Sequence, residues 1–132
     1  MKHYVTIKTI ASIIIIAASI IAVSILSQYT LHRDSDKLVQ SIENVEESIK
    51  KEDWNQSAIQ VLEIISIWEN VKGTWSVLLD HQEIDNIDVT LTRMQTLIKS
   101  RDNSSAPAEA AALKKYVNHI PAKEMLNLDN VF

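Results

Sequence analysis

At 132 residues the chain has room for one domain plus an appendage. One Gly and two Pro leave too little turn material for a strand-rich fold, and the absence of Cys excludes disulfides, thiolate zinc sites, cysteine nucleophiles and a lipidated cysteine. The formal charge is −4, and beyond Leu31 eleven Lys and Arg stand against all seventeen acids, so that part of the chain repels nucleic acid phosphates and anionic lipid heads.

Residues 9–31, TIASIIIIAASIIAVSILSQYTL, hold no charge and are closed by Lys8 on one side and Arg33 on the other. At about 1.5 Å of rise per residue, about twenty such residues cross a hydrocarbon core. Four consecutive Ile, Ile13 to Ile16, make the stretch apolar on every side, which does not suit a helix with one face in water. The expectation is a transmembrane anchor over residues 1–31, short cytoplasmic N-terminus included, with residues 32–132 forming an extracytoplasmic bundle. Orientation follows from Lys2 and Lys8 before the stretch, against Arg33 and Lys37 mixed with Asp34 and Asp36 after it. A cleaved signal peptide is the rival reading, but its apolar core would be shorter, and Ile25 and Leu26 continue the run past the one passable cleavage tripeptide, Ala22-Val23-Ser24.

The anchor is expected to continue as one helix to about Lys51, because Leu38, Ile42, Val45 and Ile49 recur as a single stripe and no Gly or Pro intervenes. Asp53 with Gln56 forms a capping-box pattern that opens a second helix, with Trp54, Ala58, Val61, Leu62, Ile65 and Trp68 as its apolar stripe. The preferred end of this helix is Lys72, with Gly73, the chain's one glycine, as a left-handed cap. The alternative notes that Trp54, Val61, Trp68 and Trp75 fall seven apart, so the helix would run to Leu79 and break at Asp80, where Glu83 completes another capping box.

A third helix, from Thr74 to about Arg101, is expected to bury Val77, Ile84, Ile87, Leu91, Met94, Leu97 and Ile98. Ser104 or Ser105 caps a fourth, over residues 108–119, which Pro121 ends. The tail from Met125 to Phe132 is expected to lie along the helices. The fold class is therefore all-α: an N-terminal transmembrane helix running into an antiparallel bundle of about four helices. Trp54, Trp68 and Trp75 are candidates for an aromatic core, or else for a binding groove.

Residues 80–88 pack four acids and a histidine into nine positions. On a continuous third helix His81 shares a face with Val77, Ile84 and Asp88, and Asp85 follows one turn later. Asp80, His81, Glu83, Asp85 and Asp88 thus form a candidate polar cluster, with His81 expected on the buried face within reach of Asp85 or Asp88. Its readings are a polar lock between helices, a metal site with His119 or another acid as third ligand, acid–base catalysis, or an acidic partner-binding surface. No HExxH, EF-hand loop, glycine-rich phosphate loop or recognisable nucleophile accompanies it, so no catalytic, cofactor or metal residue is assigned and no cofactor is expected.

An apolar N-terminal anchor, Asp53-Trp54, Trp68, Trp75, the Asp80-His-Gln-Glu-Ile-Asp-Asn-Ile-Asp88 run, His119-Ile-Pro and Leu126-Asn-Leu-Asp-Asn130 together resemble a group of small bacterial proteins, the domain-of-unknown-function family 4363. The resemblance implies a membrane-anchored helical protein of a bacterium and carries no activity. The expected function is a non-enzymatic, single-pass interaction module of the cell envelope, held by lipid through residues 9–31 and bound to another envelope protein or to itself. The alternative is a small metal-binding or acid–base catalytic protein centred on His81, Asp85 and Asp88.

Overall fold

The computed structural model describes residues 2–129, with side chains described for residues 3–122. Four helices follow in order: α1 (Lys2–Lys50), α2 (Trp54–Leu78), α3 (His81–Lys99) and α4 (Ser105–Asp129). The connections at residues 51–53, 79–80 and 100–104 are short enough to force antiparallel neighbours. Each helix packs on the next, and α4 closes on α1, giving a four-cornered bundle around one core.

Heptad-like stripes supply that core. Helix α1 contributes Leu31, Leu38, Ile42, Val45 and Ile49, and α2 contributes Val61, Ile64, Trp68 and Trp75. Helix α3 contributes Ile84, Ile87, Leu91, Met94 and Ile98, and α4 contributes Ala106, Ala110, Leu113, Val117 and Ile120. Only the second half of α1 takes part. Its first half projects beyond the bundle; its most apolar 18-residue stretch has a mean hydropathy of 2.7 with none of it buried, long and apolar enough to cross a membrane.

The ends are set by local chemistry. Asp53 accepts the Gln56 N–H at 3.1 Å and caps α2, as the capping pattern requires. Asp80 accepts the Gln82 N–H at 3.1 Å and caps α3. The cap of α4 is Asp102 rather than either serine; its Oδ1 accepts from the Ser105 N–H at 2.8 Å and the Ser104 N–H at 3.0 Å. Those backbone donors, Ser105 first, hold the Asp102 carboxyl below its ordinary value. At the far end, Glu52 and Arg101 take left-handed φ of 55° and 54° to close α1 and α3, positions where Gly is usual. Asn103 Nδ2 donates to Glu52 Oε1 at 3.0 Å and ties the two connections together.

Two expected helix ends are overturned. Helix α2 runs through Gly73 to Leu78, so the break falls at Asp80, the alternative, and not at Gly73. The heptad spacing wins because it places Trp75 in the core at 0% exposure, in phase with Trp68; a cap at Gly73 would have turned that ring away. Val77 consequently belongs to the outer surface of α2, at 85% exposure, and not to a buried face of α3. Leu62, expected in the α2 stripe, is also exposed, and Ile64 takes the core position.

Likewise Pro121 does not end α4; the backbone stays helical to Asp129 with Pro121 inside. A proline in a helix interior leaves the carbonyl four residues earlier without its donor, here that of Val117. The Ser35 hydroxyl, buried on α1, donates to this carbonyl at 3.0 Å and replaces the missing bond. The packing expected of the tail from Met125 to Phe132 lies outside the described residues.

Two substitutions check these points by denaturant titration. Nothing lies within 4 Å of a Cβ built on Gly73, so Gly73→Ala should stabilise by about 1 kcal/mol; at a left-handed cap it would destabilise. Ser35→Ala should cost about 1–3 kcal/mol by orphaning the Val117 carbonyl. Adding Pro121→Ala restores the backbone N–H, and the double variant should recover part of the loss.

Candidate functional site

The polar cluster of the sequence divides once the helices are placed. His81 is the first residue of α3 and is exposed, which corrects the expectation of a buried ring. The cause is the break at Asp80: with Val77 on another helix, the α3 stripe starts at Ile84 and runs through Ile87 and Leu91, leaving His81 outside it. Asp80 and Asp85 are also exposed, Asp80 as the helix cap, while Glu83 is half-buried in the first turn. Among the described residues no group of three or more His, Asp and Glu stands close enough to hold a metal ion.

Asp88 is the member that bonds across to α2. It lies beside the buried stripe and faces α2, where Trp68 Nε1 donates to its Oδ1 at 2.6 Å and Lys72 Nζ to its Oδ2 at 2.6 Å. Trp68 is 1% exposed, so its indole N–H has no water to turn to and the carboxylate is its acceptor. The Asp88 hydrogen bond holds the Lys72 ammonium above its ordinary value of 10.5, with partial burial opposing and the Asp88, Glu69 and Asp85 charges adding.

A matching contact lies across the second ring. Trp75 packs edge-on against Trp68, centroids 5.5 Å apart and planes at 85°, and its Nε1 donates to Asp34 Oδ2 at 3.3 Å. Arg33 holds the other oxygen of Asp34, from Nε at 3.2 Å and Nη2 at 3.1 Å. The run Arg33–Asp34–Trp75–Trp68–Asp88–Lys72 therefore crosses the bundle from α1 through α2 to α3, with a carboxylate at each end of an aromatic pair. Trp54, the third candidate ring, is half-buried against the same core near the start of α2.

Asp34 is a site residue missed when the sequence is read for flanking charge alone. The stripe Leu31, Leu38, Ile42 leaves one turn unfilled between 31 and 38, and Asp34 and Ser35 occupy it, both buried. On the outer side of α1, Lys114 Nζ of α4 donates to Glu46 Oε2 at 2.7 Å, a bond that raises the Lys114 ammonium and holds the α1–α4 pair.

The chemistry this arrangement performs is structural: carboxylates placed to accept indole and ammonium protons between helices. It defines a small helical bundle with a polar clasp across three helices and an apolar helix projecting from one end. Residues 25–131 match the family described as Domain of unknown function (DUF4363), and the chain belongs to that family. No curated protein and no solved structure matches it.

Variants at Asp88 separate its two contacts. Asp88→Ala should cost about 1–3 kcal/mol because Trp68 loses its acceptor. Asp88→Asn, which keeps an acceptor, should lose less, since a half-exposed ion pair contributes under about 1 kcal/mol. His81→Ala should leave the midpoint unchanged. Because the folded-state Lys72 value is raised, its part of the stability is fully present below pH 10.5 and is lost as pH climbs through the raised value. The gap between wild type and Asp88→Asn should therefore narrow in strongly alkaline titrations.

Proposed function

We propose that the chain is a non-enzymatic, single-pass membrane protein of the bacterial cell envelope, with its bundle outside the cytoplasm and bound to another envelope protein or a second copy. The observation that carries this reading is the first half of α1, apolar all round and unburied by any other part of the described chain. Its hydroxyls suit lipid: Thr9, Ser12 and Ser19 each donate to the carbonyl four residues back, at 2.8, 2.9 and 2.8 Å, and need no water. Tyr4 and Tyr29, both exposed, stand at the two ends of the stretch, where aromatic rings favour the headgroup level. Lys8 reaches back over the Tyr4 ring, 5.4 Å from its centroid, the way a lysine near a helix end brings its charge to the interface.

An interaction role is supported by how the candidate residues are spent. Asp34, Asp80 and Asp88 are engaged in caps and interhelix bonds, whereas the outer face of α2 shows Ile59 and Leu62 at 54% and 57% exposure. The alternative centre on His81, Asp85 and Asp88 is opposed by Asp88 having both oxygens already bonded.

Orientation is tested by a reporter active only outside the cytoplasm, fused after Phe132. Lys2 and Lys8 predict an active fusion; an inactive, well-expressed one reverses the placement. Cross-linking in native membranes should recover the chain with a stoichiometric second protein or copy, less so for Leu62→Glu. Recovery of the uncross-linked chain alone sinks the interaction role.

A further inference from the structure

Helix α4 climbs beside α1 past the level at which the apolar stretch ends. The Ser35–Val117 bond sets the two helices at one height, and they run antiparallel. From Val117 to Asp129 the backbone stays helical and rises about 18 Å, to the height of Val23. Burial along α1 changes at the same point. Residues 3–23 are exposed throughout, whereas Ser24, Ser27, Gln28 and Thr30 are half-buried and Leu31 is in the core. Composition changes there too. Residues 10–23 hold two hydroxyls, Ser12 and Ser19, each bonded to its own backbone, and Ser24, Ser27, Gln28, Tyr29 and Thr30 then follow in close succession. The charges of α4 decide where lipid can begin. Lys123, Glu124 and Asp129 belong to the part of that helix which stands at the height of residues 23–29. A hydrocarbon layer reaching Leu31 would immerse all three, and charge in hydrocarbon is expensive.

We propose that residues 4–23 alone cross the hydrocarbon layer, and that α1 from Ser24 to Leu31 and the last turns of α4 form a two-helix foot in the headgroup layer. The proposal rests on the membrane-anchored reading above. Twenty residues of helix rise about 30 Å, the thickness of a hydrocarbon core. Lys8 falls inside this span, and its ammonium lies over the Tyr4 ring, 5.4 Å from the centroid, one turn nearer the surface. Tyr29 then stands in the headgroup layer beside the end of α4. That layer accommodates charges of both signs next to apolar side chains, which is what α4 carries from Lys123 to Asp129.

The chain has no cysteine, so single labels are placed cleanly. Full-length protein carrying Ile14→Cys, Leu26→Cys or Leu126→Cys is labelled with a fluorophore and reconstituted in phosphatidylcholine vesicles. The vesicles carry a nitroxide either on the headgroup or deep in the acyl chain. Ile14 and Leu26 are both exposed, so their substitutions leave the core untouched. Position 14 lies about 14 Å from Val23, near the bilayer midplane, and position 26 about 5 Å beyond Val23 on the other side. The expected result is loss of emission at 14 chiefly to the deep nitroxide, and at 26 and 126 chiefly to the headgroup nitroxide. A hydrocarbon layer over residues 9–31 would place 14 and 26 at equal depth, so equal quenching of the two by the deep nitroxide overturns the proposal and leaves the anchor standing. Position 126 quenched by the deep nitroxide puts α4 in hydrocarbon, and no quenching at 26 or at 126 puts the foot clear of the bilayer; either overturns the proposal. No quenching at 14 overturns the anchor and the foot together.

Discussion

One turn of α1 decides how the other helices sit. At Asp34 and Ser35 the core stripe of that helix becomes polar, and the two side chains point to different neighbours: Asp34 to Trp75 of α2, Ser35 to the Val117 carbonyl of α4. A buried carboxylate or hydroxyl without a partner is costly, whereas leucines tolerate small slips along a helix. The apolar layers below, from Leu38 to Ile49, supply the bulk of the burial but no comparable demand for one register. The polar turn supplies it, at the end of the bundle nearest the projecting helix, and the edge-on tryptophan pair carries the same constraint onward to Asp88 on α3.

This organisation explains why an acid-rich run can lie in a bundle with its members committed to separate local roles. Asp80 satisfies a helix start, Asp88 satisfies an indole and an ammonium, and His81 and Asp85 face outward on separate turns. Each acid is placed by the backbone geometry of its own turn. Asp85 and Asp88 both act on the Lys72 ammonium, which bonds Asp88.

What the sequence made legible was local or periodic. The α1 stripe, the Asp53 cap and the four-helix class all follow from spacing within one segment. Contacts across the bundle were not legible, and three misreadings trace to them. Gly73 looked like a stop because a lone glycine is a strong local signal, and the heptad phase of Trp75, supported by a residue 41 positions away, outweighs it. Pro121 looked like a stop because its remedy, the Ser35 hydroxyl, lies 82 positions from the carbonyl it serves. His81 was placed inside because its phase was counted from Val77, across a break that the choice at Gly73 concealed. Asp34 could have been found by extending the α1 stripe one step upward, where the next position after Leu38 is already polar.

Helix α1 passes from its exposed apolar half into the bundle with no Gly, Pro or loop between them. A Gly- or Ser-rich tether would let a domain roam through a volume set by linker length. Here the coupling is stiff: were the exposed apolar half of α1 held in a bilayer, as proposed, the bundle would turn and tilt only as the helix in the lipid turns and tilts. Its reach is about 30 Å, the rise of the twenty residues from Leu31 to Lys50. On that reading encounters would be confined to a thin layer over the membrane, in which the bundle would always show its sides in the same orientation to anything diffusing in the same plane.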